Sequence, residues 1–307
     1  MKVQMMKCVI LLASLSGVAC AQERPKIVGI SNMGLYATDM AKTEQFFAHN
    51  LGAFKALDPQ NPAGVRFYFN PVQFIEVLPL PAGSASVNRF DHVGYNTSNA
   101  EAMRHYLAAH GVIVPAAVSS GSDGSRYFDV LDPEGNRVQF VQPPLHPLSV
   151  PLNRVSHHVI HVGYMVHSSS AEDKFYRQLL GFRPYWHGGM KDDSTDWVSM
   201  QVPDGTDWLE YMLEKGPEKT GIPSSLSLQQ LGSDDHFSLG VVNMEKTADI
   251  LYAEDRLTPR HSNAQIGRDG KWQLNLYAPD ETRVEFMEFQ PSVKPCCSPF
   301  LLPSPTR

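Results

Sequence analysis

His92-Val93-Gly94-Tyr95 and His161-Val162-Gly163-Tyr164 are the same tetrapeptide, placed once in each half of the chain. Each copy opens an apolar run of strand character and leads into a stretch of helical character. The second continues as Met165-Val166, a polar turn, then Phe175-Tyr176 and Leu180-Gly181-Phe182. A related segment without the histidine stands earlier: Asn32-Met33-Gly34-Leu35-Tyr36 leads to Phe46-Phe47 and Leu51-Gly52-Ala53-Phe54. A fourth, His236-Phe237-Ser238-Leu239-Gly240-Val241, runs into residues 244–251. Four strand-then-helix units in one chain predict an internally duplicated fold, and the recurring histidine marks what the duplication holds.

Working outward, the halves are separated by a proline-rich stretch, Pro143-Pro144-Leu145-His146-Pro147 through Pro151, which can continue neither a helix nor an inner strand. The predicted organisation is a first domain over 27–142, a linker over 143–154 and a second domain over 155–290. Alternating runs at 66–69, 74–78, 197–202 and 208–213 are predicted strands. The Phe46-Phe47 and Phe175-Tyr176 pairs, at helical spacing, are predicted core. Each half closes with a turn and a strand: Asp132-Pro133-Glu134-Gly135-Asn136 into 137–141, and Ala278-Pro279-Asp280-Glu281-Thr282 into 283–289. Repeated β-α-β-β-β units make this an α+β protein.

The 307 residues, 42% hydrophobic and 19% charged, suit two ordinary globular domains. A net charge of −6 with no basic stripe interleaved by aromatics argues against nucleic acid as a partner. Lys2 and Lys7, the apolar run from Cys8 to Ala13 and the segment Ala19-Cys20-Ala21 read as a signal peptide over residues 1–21, so the protein is expected to be exported. That run is too short to span a bilayer, and Gly17 disfavours lipid anchoring through Cys20. The folded region between them has no cysteine; Cys296 and Cys297 adjoin in a Pro/Ser-rich tail, 291–307, expected to be disordered. A disulfide or metal site at these neighbours is not expected.

A histidine on the opening strand, Leu180-Gly181-Phe182 closing the first helix and an Asp-Pro-x-Gly ending resemble the vicinal oxygen chelate superfamily, which includes glyoxalase I, extradiol dioxygenases and bleomycin resistance proteins. The resemblance implies four βαβββ modules in two tandem domains with curved mixed sheets. In such proteins ligands from the first and last strands of each module surround one divalent metal. The matching positions here are His161, Glu210, His236 and Glu285, which could take Zn, Ni, Co, Mn or Fe(II). The first half offers Asn32, Glu76, His92 and Gln139 instead; its neutral amides imply a structural or substrate-shaping role rather than a second metal. His157, His158 and His167 lie off register, as outer-layer or surface residues.

The expected function is a metal-dependent glyoxalase-like lyase or isomerase acting on an oxygenated small molecule, with Glu285 or Glu210 as the base. An Fe(II) extradiol-type dioxygenase using His161, His236 and Glu285 is the alternative. It departs from that family's pattern, since Gly270-Lys271-Trp272-Gln273 precedes Leu276-Tyr277-Ala278-Pro279 without the family's histidine. A non-catalytic small-molecule-binding protein is a third reading, opposed by the complete ligand set.

Overall fold

The computed structural model describes residues 23–214 and 226–306; the signal-peptide reading over 1–21 falls outside them. The first half supplies strands β1 (Ile27–Ala37), β2 (Phe54–Leu57), β3 (Val65–Asn70), β4 (Gln73–Pro79), β5 (Phe90–Thr97), β6 (Ser119–Ser120), β7 (Arg126–Leu131) and β8 (Arg137–Gln142). The second supplies β9 (Val159–Val166), β10 (Arg183–Gly188), β11 (Trp197–Gln201), β12 (Trp208–Leu213), β13 (His236–Val241), β14 (Gln265–Ile266), β15 (Trp272–Tyr277) and β16 (Arg283–Glu288). Helices α1 (Met40–Gln45), α2 (Ala100–Ala109), α3 (Ser169–Asp173) and α5 (Met244–Ala253) follow the opening strand of each module, and α4 (Leu228–Asp234) precedes β13.

The two sheets have the same order, β2-β3-β4-β1-β5-β8-β7-β6 and β10-β11-β12-β9-β13-β16-β15-β14. In each module the first and last strands pair in parallel, which requires the intervening helix as a crossover. The opening strands of neighbouring modules pair antiparallel at the centre. Every crossover helix starts on a side-chain cap: Asp39, Asn99, Ser168 and Asn243 accept from Lys42, Ala102, Ala171 and Lys246 amides. Such residues satisfy donors the first turn leaves open. The aromatic pairs expected in the core are there, with Phe46, Phe47, Phe175 and Tyr176 all buried.

One apolar core runs through both halves. Phe47 stacks on Phe237 at 6.2 Å, Phe90 on Tyr164 at 5.1 Å, and Tyr95 meets Phe182 edge-on at 5.2 Å. A smaller apolar cluster, containing Tyr185, Trp186 and Trp208, lies beside the second half's histidines.

Two expectations about the C-terminal tail are corrected. It is not disordered: Ser292 and Val293 amides donate to Gly270 O, Cys296 N to Arg268 O and Leu301 N to Tyr185 O. Gln201 Nε2 donates to Pro303 O, and Phe300 packs on Tyr185 at 4.8 Å. Composition predicts disorder when a segment has nothing apolar to bury, but this tail has Phe300 and Leu302 and a waiting aromatic cluster. Cys296 and Cys297 are joined as a disulfide, with Cys297 turned into the left-handed region at φ 67°.

Candidate metal centre

The pairing register gathers the predicted ligands. Glu210 on β12 and His236 on β13 both pair with Gly163 of β9, one from each side. His161 pairs with Ser238, and Ser238 pairs in turn with Glu285 on β16. Four side chains from four strands therefore rise from one face at the centre of the sheet. His161 Nε2 and His236 Nε2 are 3.0 Å apart. Glu285 Oε2 is 3.5 Å from the first imidazole and Glu210 Oε2 is 3.6 Å from the second.

Three of the four donors are aimed by polar neighbours, while His161 Nδ1 is buried without a hydrogen-bond partner among the described residues. His236 Nδ1 donates to Asp234 O at 2.7 Å, which turns its Nε2 toward the cluster. Ser199 Oγ donates to Glu210 Oε1 at 2.9 Å, and Arg283 stands 3.6 Å from Glu285 Oε1, so in both carboxylates Oε2 is the atom turned inward. Burial, reinforced by His236, Arg283 and Lys271, holds His161 well below its ordinary range and therefore neutral. Burial pushes the Glu210 carboxyl up, but hydrogen bonds from His236 and Ser199 outweigh it and hold the group below the usual range. Glu285 is raised, chiefly by burial.

This donor set fits a divalent cation. Two nitrogens bound at about 2.1 Å each would stand roughly 3 Å apart at a near-right angle, which is the separation of the two imidazoles. Two imidazoles and two carboxylates also match the charge and the borderline softness of a first-row divalent ion. Trp208 lies against the His161 ring at 4.6 Å and closes one side. A cavity of about 610 Å³ opens over Glu210 and Glu285 and is walled by Tyr185, Trp186, Trp197 and Phe300.

Sequence reasoning missed several parts. Lys271 is fully buried, its Nζ 4.6 Å from the Trp208 ring and 3.3 Å from Tyr185 Oη. Burial lowers this amine to about 8, against the opposing pull of Asp269, Glu285 and Glu210. An isolated lysine at a strand start carries no signal of such burial. Gly163 was legible as part of the repeated tetrapeptide, yet its role appears only in the register. His158 does not reach the centre; its Nε2 meets Asp207 at 2.7 Å, between the halves.

The first half repeats the register with other chemistry. Glu76, Gly34 and His92 form one row and Asn32, Gly94 and Gln139 the other. Asn32 Nδ2 donates to Gln139 Oε1 at 3.1 Å, and Gln139 Nε2 donates to Gln60 Oε1 at 3.1 Å, so the two amides are engaged with neighbouring side chains. His92 turns its Nδ1 to Asp91 at 2.8 Å, and its Nε2 is 3.8 Å from Glu76 Oε2. Burial raises Glu76 to about 7, which weakens it further as a ligand.

No protein-family profile matches the sequence, and no curated protein matches it. Solved structures do match the fold. A catechol 2,3-dioxygenase superposes with a TM-score of 0.61 at 12% identity, over 92% of this chain and 96% of that one. A halotolerant catechol dioxygenase gives 0.61 at 16%, over 91% and 95%. Homoprotocatechuate 2,3-dioxygenase from Brevibacterium fuscum gives 0.61 at 16%, over 87% and 82%. With its two curved eight-stranded sheets, the chain has the two-domain vicinal oxygen chelate fold.

Proposed function

We propose that the protein is an enzyme that holds one divalent metal between His161, His236, Glu285 and Glu210 and moves a proton on a small molecule bearing two adjacent oxygens. The observation that carries this reading is the fourth donor. Glu210 Oε2 stands with the three ligands that ring-cleaving chemistry requires, at 3.6 Å from His236 Nε2. A bound divalent cation would act as a Lewis acid toward the substrate oxygens. Glu210 is the better placed base: its side chain is 14% exposed against 4% for Glu285, and Ser199 anchors its Oε1, so that Oε2, the inward donor, is the atom that would take the proton. Trp208 keeps water from the His161 side, and the cavity's aromatic wall holds the body of the substrate.

The fold likeness over 92% of the chain to a catechol 2,3-dioxygenase favours a second reading, Fe(II) extradiol cleavage with His161, His236 and Glu285 as the ligands. One set of measurements separates the two. The purified protein should contain one divalent metal per chain, lost in His161→Ala and His236→Ala and kept in His92→Ala. With Zn or Ni under anaerobic conditions it should incorporate deuterium from solvent into an α-hydroxycarbonyl compound, and Glu210→Gln should slow that exchange by roughly 10²–10⁴-fold. Oxygen uptake on catechols with Fe(II), undiminished in Glu210→Gln, would overturn proton transfer in favour of ring cleavage.

A further inference from the structure

The tail does more than cover apolar surface. β10 and β14 are the two opposite edges of the second sheet, and the tail crosses from one to the other. On one side it is hydrogen-bonded to Gly270 and Arg268, at the β14–β15 hairpin. On the other it is bonded to β10: Leu301 N donates to Tyr185 O, Ser298 Oγ accepts from His187 N at 2.9 Å and donates to His187 O at 2.9 Å. Phe300, carried between these anchors, is part of the cavity wall. The strap therefore joins the open edges of the half-barrel across the face that holds the metal-ligand cluster.

The disulfide sits where the strap passes from one edge to the other. Ser298 N donates to Cys296 O at 2.7 Å, and Cys297 is held at φ 67°, a conformation that non-glycine residues with a β-carbon seldom adopt. The ring closed by the two sulfurs fixes that turn. Cys297 Sγ is on the exposed side, 3.8 Å from Arg268 Nη2 and 3.8 Å from Lys191 O. Arg268 also donates to Gly189 O at 3.1 Å and pairs with Asp192, so this one guanidinium touches the hairpin, the β10–β11 loop and the disulfide.

We infer that Cys296–Cys297 is a thiol–disulfide exchange site whose oxidation state sets closure of the strap over the cavity. A small dithiol attacks Cys296 Sγ and the S–S bond breaks. Cys297 leaves as a thiolate beside the Arg268 cation, which favours it as the departing sulfur. The second thiol of the reductant then displaces Cys296 from the mixed disulfide. The reductant leaves as its own disulfide, and its two electrons and two protons end on Cys296 and Cys297. Without the ring, Cys297 is free to return to extended backbone, and the anchors at Ser298 and Leu301 lose the turn that presents them.

The test is hydrogen exchange on the full chain, oxidised and after dithiothreitol, with iodoacetamide labelling and peptide mass spectrometry reading the thiols at Cys296 and Cys297. Reduction is expected to free two thiols and to speed amide exchange across 185–187 and 296–301 at least tenfold, leaving 236–241 unchanged. A Cys296→Ser, Cys297→Ser double variant should show the fast rates with or without dithiothreitol. Acrylamide should quench tryptophan fluorescence more strongly in both open forms, as Trp186 and Trp197 line the cavity. Unchanged protection after Cys296 and Cys297 are both labelled, or both of these found as free thiols in protein purified without reductant, would overturn the inference. Slow exchange in the double variant would do so as well.

Discussion

A β-carbon at position 163 would stand 2.2 Å from His236 Cε1, well inside contact distance, so the imidazole reaches the cluster only because β9 carries no side chain there. The same holds at the equivalent glycines of the first half, where Gly34 admits His92 and Gly94 admits Asn32. Gly163→Ala is therefore expected to displace His236 and weaken Zn binding by roughly 10–100-fold, the scale on which loss of an orienting neighbour acts. Titration calorimetry on the folded variant checks this; wild-type affinity would show that His236 need not occupy its observed position. At this scale the two histidines stood out in the sequence because they recur at strand starts, and Glu210 and Glu285 joined them as candidate ligands through the family resemblance. Ser199, Arg283 and Lys271 were not legible. A hydroxyl, a guanidinium and an amine have no recurring spacing, and they acquire a role only through the pairing of distant strands, as Ser199 does opposite Glu210.

At the scale of elements, the two closing turns were legible as turns but not as clamps. Asp280, in the second half's turn, accepts from Thr38 N at 2.9 Å and Thr38 Oγ1 at 2.8 Å, at the end of β1. Glu134, at the matching place in the first half's turn, accepts from His167 N at 2.9 Å and from Ser168 N, at the end of β9. Each half thus holds the start of the other's first helix. The single sequence shows each turn and cannot show the partner across the interface. Glu172 of α3 lies beneath the Glu134 clamp, fully buried, accepting from Glu134 N at 3.0 Å. Burial, then the nearby carboxylates of Asp132 and Glu134, raises its pKa from 4.5 to about 9. The folded protein keeps a proton there that the unfolded chain releases, so the associated stability is complete below the usual carboxylate range and is lost as pH rises toward about 9. Glu172→Gln supplies the neutral, donating form permanently. Its unfolding midpoint should match the wild type near pH 4 and exceed it by several degrees at pH 9, the scale on which ~1–2 kcal/mol acts in a protein of this size. Equal midpoints at pH 9 would show that Glu172 is not the group responsible.

For the whole molecule, the division into halves read from the proline-rich linker describes the sheets but not the core. Phe237 of β13 packs against Phe47 and also against Phe69 of β3 at 6.2 Å. Val159 N donates to Gln73 Oε1 at 3.0 Å, and Gln73 Nε2 bridges Ile30 O, Val159 O and Asp207 Oδ2. Ile27 and Ile30 amides donate to Asp204 and Asp207 of the second half. Hydrophobic periodicity tells which face of a helix is buried, not what buries it, and here the covering surface belongs to the other half. Separating the halves would uncover Phe47, Phe90, Tyr164 and Phe237 together and strand the buried carboxylates that pair across the junction. Burying an aromatic side chain of this size is worth about 1.5–3 kcal/mol, so four such rings are together comparable to the whole net stability of a typical domain. The chain should therefore unfold as one unit. Scanning calorimetry of the metal-free protein should give a single transition with equal calorimetric and van't Hoff enthalpies, and the fragment 155–307 should aggregate rather than fold. Two resolved transitions, or a fragment that melts cooperatively by itself, would mean that each half closes its own core and that the first is retained for its surface rather than for the stability of the second.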